Sequence, residues 1–209
     1  MRVAVLGGTG PFGRALATRL RAAGYEVLLG SRERARAEEA AAALGVAGAP
    51  NEEAASRADL VVLATKAEAA LDTARALRGA IGSRPVLSCA SLLLRTAAGP
   101  VPAAEGRSLA ERIQEELDAP VAAGLHSLAA ATLAGAEPPD EDAFVCGDEA
   151  AAKEPALELA GRLVAGRALD AGPLASARAL ESLTAVIVNL NRRYGGHAGI
   201  RVTGLRTSR

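Results

Sequence analysis

Short apolar runs alternate with longer amphipathic stretches over roughly the first ninety residues of the chain. The short runs predict buried strands, and apolar positions that recur every three or four residues predict helices between them. The predicted strands cover residues 2–6, 25–30, 60–64 and 85–88, and the predicted helices cover residues 11–23, 33–44 and 67–78, with another helix start at Asn51. Strands that alternate with helices of this length form βαβ units, so we predict an α/β protein with a parallel sheet.

The pattern changes in the second half of the chain. Gly99, Pro100 and Pro102 predict a loop over residues 95–106. A helix over residues 109–117 and strands over residues 120–125 and 143–146 are predicted next. Apolar side chains then recur at helical spacing over residues 173–194, which predicts one long, largely buried helix.

The composition restricts both the core and the class of partner. Hydrophobic residues make up 50% of the 209 residues and aromatic residues only 2%, and about a quarter of the chain is alanine, well above ordinary usage. The core must therefore consist of Ala, Leu and Val, which suits helices packed closely on a sheet. Lys plus Arg and Asp plus Glu each number 24, so the net charge is zero, whereas nucleic-acid-binding proteins normally show a basic excess.

Neither a metal site nor a membrane segment is predicted. Cys89 and Cys146 lack the spacing of metal ligands and cannot form a disulfide framework. The amino terminus lacks a signal-peptide layout, and no apolar run reaches the roughly 18 residues that a membrane span needs. We therefore expect a cytoplasmic protein with no bound metal and with no nucleic-acid or membrane partner.

A glycine-rich turn between the first strand and the first helix carries most of the functional information. It fits the pattern G-x-G-x-x-G, which needs small residues for a tight turn, for close approach of a pyrophosphate and for helix–sheet packing. The helix N-terminus then offers free N–H groups to the phosphates. The candidate contacts with a dinucleotide are Gly8, Thr9, Gly10, Pro11, Phe12 and Gly13.

This motif completes the predicted architecture. We expect a Rossmann-type, doubly wound, mainly parallel sheet that binds a dinucleotide and covers residues 1–148. A small, mainly helical domain is expected over residues 149–209.

The residues that follow the second strand indicate which dinucleotide binds. NAD-binding folds place an acidic residue there for the ribose 2′-hydroxyl, whereas NADP-binding folds accommodate a phosphate. Ser31, Arg32 and Arg36 stand at that place, and guanidinium groups match the geometry of a phosphate. We predict NADP(H) rather than NAD(H); the alternative is that the arginines form a solvated helix face. Thr65 and Lys66, after the strand over residues 60–64, are further candidate cofactor contacts.

Few side chains in the sequence are suited to acid–base catalysis. The Tyr-x-x-x-Lys motif of short-chain dehydrogenases is absent, because Tyr25 and Tyr194 are each followed four residues later by an apolar residue. His126 and His197 are the only histidines, and neither has the spacing of a nucleophile partner or metal ligand. This favours a reaction that needs no protein proton shuttle, such as direct hydride transfer between two stacked rings.

Segments spread over nearly the whole chain form a recognisable set. The glycine turn alone is generic, but segments along the later part of the chain make the set specific. These segments are residues 3–10, 13, 30–32, 71–75, 125–127, 145–148, 169–174, 181–184, 191–194 and 197–199. In them the chain resembles the coenzyme F420-dependent NADP oxidoreductases.

The resemblance implies a role for several residues. Thr9 to Gly13 would hold the pyrophosphate of NADP(H), and Ser31, Arg32 and Arg36 would hold its 2′-phosphate. His126, Ser127 and Leu128 would line the pocket in which the deazaflavin ring of F420 stacks on the nicotinamide. His126 is then the candidate catalytic residue, through positioning of the ring.

The resemblance also implies an assembly and a site for the rest of F420. The family is generally dimeric, so we expect a homodimer in which the long C-terminal helix forms both a pocket wall and the interface. The F420 tail carries a phosphate and glutamates, and its basic site would be supplied by Arg192, Arg193, Arg201 and Arg206.

Two other functions stay open at this point. Lys66-Ala67 and residues 89–92 depart from the family pattern at the edge of the nicotinamide site. The protein could therefore be an NADPH-dependent reductase of another acceptor, such as a flavin, a quinone or a metal chelate. It could also be a non-enzymatic NADP(H)-sensing protein. Cys89 lies near the cofactor in this scheme, and an inert, small apolar role is the preferred interpretation.

Overall fold

An eight-stranded sheet runs through the centre of the molecule, in a computed structural model that describes residues 1–103 and 106–205. The strands of the chain are β1 (Arg2–Leu6), β2 (Glu26–Ser31), β3 (Ala47–Pro50), β4 (Leu60–Leu63), β5 (Val86–Ser88), β6 (Leu93–Thr96), β7 (Gly99–Pro102), β8 (Val121–Gly124), β9 (Ala143–Gly147) and β10 (Ala168–Asp170). The order in the sheet is β10-β9-β8-β5-β4-β1-β2-β3. Neighbouring strands are parallel except for the pair β8–β9.

Helices cover both faces of this sheet. They are α1 (Pro11–Ala22), α2 (Arg34–Leu44), α3 (Asn51–Ser56), α4 (Ala67–Ile81), α5 (Leu109–Glu116), α6 (Ala130–Leu133), α7 (Ala150–Leu163) and α8 (Ala177–Tyr194). Alternate residues of β1 point to opposite faces: Val3 and Val5 pack with α1, α2 and α7, whereas Ala4 and Leu6 pack with α3, α4 and α5. Burial on both faces explains why the parallel strands are continuous apolar runs.

The predicted fold class is confirmed: the protein is α/β, with a doubly wound, mainly parallel sheet. The helices and strands predicted for the first ninety residues lie within about three residues of their predicted bounds, a usual error for element ends. Two short edge strands, β3 and β10, were not predicted. Because β10 pairs with β9, the sheet continues beyond residue 148 as far as Asp170, and the domain boundary at residue 148 stays a prediction.

The loop predicted over residues 95–106 is wrong for most of its length. β6 and β7 form an antiparallel hairpin, in which Thr96 pairs with Gly99 across a two-residue turn. Pro100 and Pro102 occupy alternate positions of a strand in a two-stranded ribbon, where proline does not interrupt pairing with a central sheet. Asn189 of α8 donates a hydrogen bond to the Pro100 carbonyl at 2.8 Å, which docks the hairpin on that helix.

The long C-terminal helix is shorter and less buried than predicted. A turn of 3-10 helix (Leu174–Ser176) precedes α8, which begins at Ala177. Its first half is packed in the core, but Val186, Leu190 and Tyr194 are 52%, 42% and 75% exposed. Within the residues that the structure describes, no helix has both the length and the apolar character to cross a membrane.

A buried arginine connects α1 to the segment that follows β8. The Arg19 guanidinium donates hydrogen bonds to the backbone carbonyls of Leu133, Gly135, Ala136 and Glu137. Charge-assisted hydrogen bonds of this kind are stronger than neutral ones. The helix that begins at the glycine turn is therefore fixed to the segment between His126 and β9.

Candidate active site

The candidate site lies at the carboxyl ends of the parallel strands. β1 has β4 on one side and β2 on the other, so the chain connections diverge on either side of β1. Ligands of doubly wound sheets bind in the crevice that such a reversal opens. The glycine turn follows β1, Thr65 follows β4, Ser88 ends β5 and His126 follows β8.

The glycine turn is packed against its neighbours on one side and is open on the other. A methyl group at Gly8 would come within 2.4 Å of the Leu29 side chain, and one at Gly13 within 2.7 Å of the Gly7 carbonyl oxygen. At Gly10 a methyl group would meet only the Gly7 carbonyl, at 3.5 Å. Gly8 and Gly13 are therefore required by packing, whereas Gly10 leaves the approach to the backbone free.

The first turn of α1 faces this opening. Its N-cap residue is Gly10, and no side chain from the described parts of the chain caps the helix there. The first turn also contains no acidic residue. Uncapped N–H groups and the positive end of the helix dipole suit the pyrophosphate of a dinucleotide.

The end of β2 distinguishes between the two nicotinamide dinucleotides. A side chain at Gly30 would come within 2.7 Å of Asn51 Oδ1 and of a methyl group of Leu6, so an acidic residue does not fit there. Ser31 is nearly buried next to it. Arg32 is exposed and pairs with no carboxylate in residues 1–103 and 106–205.

The other two arginines of this segment differ in their partners. Arg36 lies 3.8 Å from Glu33, and both side chains are exposed, so this ion pair is weak. Arg34, in contrast, forms a 2.7 Å ion pair with Glu53. Arg32 and Arg36 are therefore less engaged by carboxylates than Arg34 is, and their role at a 2′-phosphate stays a prediction.

Buried polar groups without partners surround the crevice. In the described residues, Thr65 Oγ1, Ser88 Oγ, Ser127 Oγ and both ring nitrogens of His126 have no hydrogen-bond partner. Such groups are costly to bury unless a ligand or a bound water satisfies them. Because β4, β5 and β8 are neighbours in the sheet, these groups mark one continuous region beside the glycine turn.

The backbone next to His126 is strained at Leu125, and the carbonyl of His126 accepts a hydrogen bond from Thr184. Leu125 has a φ of 66°, and it is the one residue other than glycine with positive φ in the described chain. Positive φ in a bulky residue is strained and persists only where the surroundings enforce it. Thr184 Oγ1 of α8 donates to the His126 carbonyl at 2.9 Å, and Thr184 Oγ1 is 2.8 Å from Ser91 Oγ.

Burial determines the protonation states of the site. It lowers the pKa of His126 to about 4, and this effect outweighs the opposing polar contact with the Ala90 backbone, which does not reach the geometry of a full hydrogen bond. The imidazole is therefore neutral at neutral pH and presents one donor and one acceptor. Burial also raises the pKa of the Cys89 thiol, which makes it a poor nucleophile.

The other residues predicted to contact NADP(H) or F420 differ in their exposure and in their partners. Lys66 is exposed at the start of α4, and Leu128 belongs to the core cluster beside α1 and α7. Arg192 and Arg193 are exposed at the end of α8, and Arg201 pairs with Asp140 at 2.9 Å. Arg206, the fourth arginine predicted for the F420 tail, lies outside the described residues.

A basic cavity that sequence reasoning missed lies between α5 and α8. It encloses about 220 Å³ and is lined by three arginines, Arg107, Arg112 and Arg178, together with Glu181 and Ser182. The Glu181 carboxylate accepts hydrogen bonds from the Leu109 and Ala110 amides at 3.2 Å, so the N-terminus of α5 is already satisfied. The available signal was the helical spacing of residues 178, 181 and 182, but only the fold brings α5 beside them.

A doubly wound sheet and an open glycine turn beside a buried crevice are typical of a Rossmann-type, dinucleotide-dependent oxidoreductase. Comparison with known proteins identifies the family. A family model described as "NADP oxidoreductase coenzyme F420-dependent" matches residues 2–91. The F420-dependent NADP reductase of Methanothermobacter thermautotrophicus is 35% identical over 98% of this chain and 96% of its own length. That of Methanocaldococcus jannaschii is 33% identical over 98% and 99%.

A solved structure agrees with these relatives. A crystal structure from Arthrobacter sp. FB24, assigned as an F420-dependent NADP reductase, matches with a TM-score of 0.86 and 26% identity, and covers 98% of this chain and 100% of that one. The chain belongs to the family of F420-dependent NADP reductases.

The buried, neutral state of His126 gives a testable dependence of stability on pH. The unfolded chain binds a proton on this histidine below its ordinary pKa of 6.5, whereas the folded chain binds it only near pH 4. The His126 contribution to the free energy of unfolding should be constant above pH 6.5 and should decrease as the pH falls towards 4, in total by roughly 3 kcal/mol. Urea unfolding at several pH values measures this, and His126→Gln should remove that part of the slope.

The exposed His197 provides the matched control. His197→Gln should keep the full slope of the wild-type protein between pH 6.5 and 4. An unchanged slope in His126→Gln would contradict burial of a neutral ring.

Proposed function

We propose that the protein transfers a hydride between NADP(H) and coenzyme F420. One observation carries the proposal. The open glycine turn and the buried His126 region both lie at the carboxyl ends of the parallel strands, in a chain that matches F420-dependent NADP reductases over 98% of its length. NADP(H) and F420 supply the hydride chemistry themselves when they are bound. We expect the reaction to take place in the cytoplasm, where it would draw on the NADP(H) pool.

The protein would hold the two ligands in position for the transfer. The α1 amides and the glycine turn hold the pyrophosphate, and Ser31, Arg32 and Arg36 hold the 2′-phosphate. The neutral His126 ring and the buried hydroxyl groups of Ser88 and Ser127 orient the two reacting rings. The hydride would pass directly between the rings, and the one proton that reduction of F420 also consumes would come from solvent, so no protein group is assigned to deliver it.

The basic cavity suits the anionic tail of F420. Its walls include Leu92, and the preceding residue, Ser91, lies 2.8 Å from Thr184 Oγ1, which bonds to the His126 carbonyl. A ligand whose ring lies beside His126 can therefore place its tail along α8. Arg112 and Arg178 pair with no carboxylate in the described chain, so their charges are available to a phosphate and to glutamates.

An exposed apolar surface supports a homodimer. We call it the α8 surface; it is formed by Leu94, Val101, Val186, Leu190 and Tyr194. Val186, Leu190 and Tyr194 recur every four residues along α8, and Leu94 pairs with Val101 in the hairpin that Asn189 docks on this helix. Exposed apolar residues grouped in this way are typical of an interaction site. A second copy of the chain fits, because α8 would pair with the same helix of its partner in a symmetric contact.

The proposed 2′-phosphate site and the basic cavity should each affect the KM of one ligand only. The assay mixes NADPH with oxidised F420 under anaerobic conditions and monitors the loss of deazaflavin absorbance. The wild-type protein should be active with NADPH and not with NADH or free flavin. Arg32→Ala should raise the KM for NADPH by about 10- to 100-fold and leave that for F420 within about twofold, since it removes charge-assisted hydrogen bonds. Arg178→Ala should raise the KM for F420 by a similar factor and leave that for NADPH unchanged.

Arg21→Ala, an exposed arginine on α1, is the control and should change neither KM. Turnover of free flavin in preference to F420 would support the other reductase. Tight binding of NADPH without transfer to any acceptor would support the sensor. Equal effects of Arg32→Ala on the dissociation constants of NADPH and NADH would overturn the assignment of the 2′-phosphate site.

The dimer proposal predicts dissociation when charge is placed on the α8 surface. Leu190→Glu should convert the protein from dimer to monomer in sedimentation velocity at micromolar concentration, because a desolvated carboxylate opposes burial of the surface. Ala151→Glu, at an exposed position of α7, should remain dimeric. A wild-type protein that sediments as a monomer at the same concentration would exclude the proposed interface.

A further inference from the structure

Ser91 is half-buried and belongs to no strand or helix, and its hydroxyl group is one hydrogen bond away from the residue that bonds the His126 carbonyl. It follows β5, in the 89–92 segment where the chain departs from the family pattern. Its hydroxyl oxygen is 2.8 Å from Thr184 Oγ1, a partner 93 residues further along the chain. This hydrogen bond joins the segment after β5 to the middle of α8.

The direction of the Ser91–Thr184 bond follows from counting protons. A hydroxyl group has one proton to donate. The Thr184 proton is used for the His126 carbonyl, 2.9 Å away, because a carbonyl oxygen can only accept. Ser91 must therefore be the donor to Thr184, and the three groups form one directed series from Ser91 through Thr184 to His126.

The backbone around His126 is held at two points: by Thr184 at the His126 carbonyl and by the preceding residue, Leu125. Leu125, directly before it, has the strained positive φ described above, and its amide donates to the Phe144 carbonyl at 3.1 Å. The conformation at Leu125 orients the following residue, so the bond at the His126 carbonyl helps to hold the imidazole at its place. A hydroxyl group that accepts a hydrogen bond becomes a stronger donor, so the Ser91 proton strengthens the bond from Thr184 to His126.

We propose that Ser91 is a positioning residue of the acceptor pocket, which acts on His126 through Thr184. The proposal rests on the proposed function, since the group that it positions is the ring assigned to orient the acceptor. It predicts that Ser91 affects the step that involves F420 much more than the binding of NADPH, whose phosphates are assigned to the turn after β1 and to the end of β2.

A double-mutant cycle tests this role with Ser91→Ala, Thr184→Val and the double variant. Ser91→Ala should lower kcat for F420 reduction by about three- to tenfold, the range of one hydrogen bond, and leave the Kd for NADPH within about twofold. In the Thr184→Val background, Ser91→Ala should have little further effect, because the series is already broken. Ser91→Thr, which keeps the hydroxyl group, should recover most of the rate.

Ser56→Ala is the matched control, since Ser56 bonds only within its own helix α3 and is exposed. It should leave kcat unchanged. Additive effects of Ser91→Ala and Thr184→Val, or an unchanged kcat in Ser91→Ala, would overturn the proposal.

A second readout does not depend on the acceptor. His126 and His197 are the two histidines of the chain, so their ring signals can be assigned in a proton–carbon NMR spectrum. Ser91→Ala should shift the His126 signals and leave those of His197 in place, whereas Ser56→Ala should move neither. If the wild-type protein reduces no F420 but the His126 signals shift, the proposed function fails and the positioning role stands. If the His126 signals do not shift, the positioning role fails whatever the acceptor.

Discussion

Three glycines of the first turn, Gly7, Gly8 and Gly13, let the backbone lie directly against its neighbours. A methyl group at Gly7 would come within 2.8 Å of Thr65, and the contacts at Gly8 and Gly13 would be closer still. This packing holds the turn against β4, β2 and its own helix at once. The α1 amides therefore face the crevice, and Thr65 enters it from the other side. The positions of both proposed ligands depend on this contact, because it sets the distance between the dinucleotide and the strands that carry Ser88 and His126.

The protein offers two kinds of environment to anions. At α1 the helix N-terminus is open, and its amides are available to a pyrophosphate. At α5 the corresponding amides are taken by the buried Glu181, whose burial raises its pKa, and by the Ser108 cap. An anion in the basic cavity between α5 and α8 would therefore contact guanidinium groups and not the N-terminal amides of a helix. This difference would let a fixed pyrophosphate and an extended, flexible tail bind the same molecule without competing for one site.

The sequence predicts the part of the molecule in which local pattern and chemistry agree. The alternation of strands and helices, the glycine turn and the Ser31–Arg32 pair could all be read from neighbouring residues. The edge strands β3 and β10 could not, because Ala47–Pro50 and Ala168–Asp170 are short and lack a run of β-branched residues. The hairpin is hidden in the local sequence, because glycine and proline are typical of loops as well as of tight turns and edge strands. The Arg178 cavity and the Ser91–Thr184 bond join residues far apart in the chain, so only the tertiary fold brings them together.

The central claim is that the hydride passes directly from one ring to the other in a pocket where the protein supplies no proton. The most direct test uses NADPH that carries deuterium on one face of nicotinamide carbon 4, with each of the two epimers in turn. The protein, oxidised F420 and labelled NADPH are mixed anaerobically in ordinary water, and the reduced F420 is analysed by mass spectrometry. The account predicts that one epimer transfers one deuterium atom to each F420 and that the other transfers none. Reduced F420 that contains only hydrogen from solvent with both epimers would contradict it.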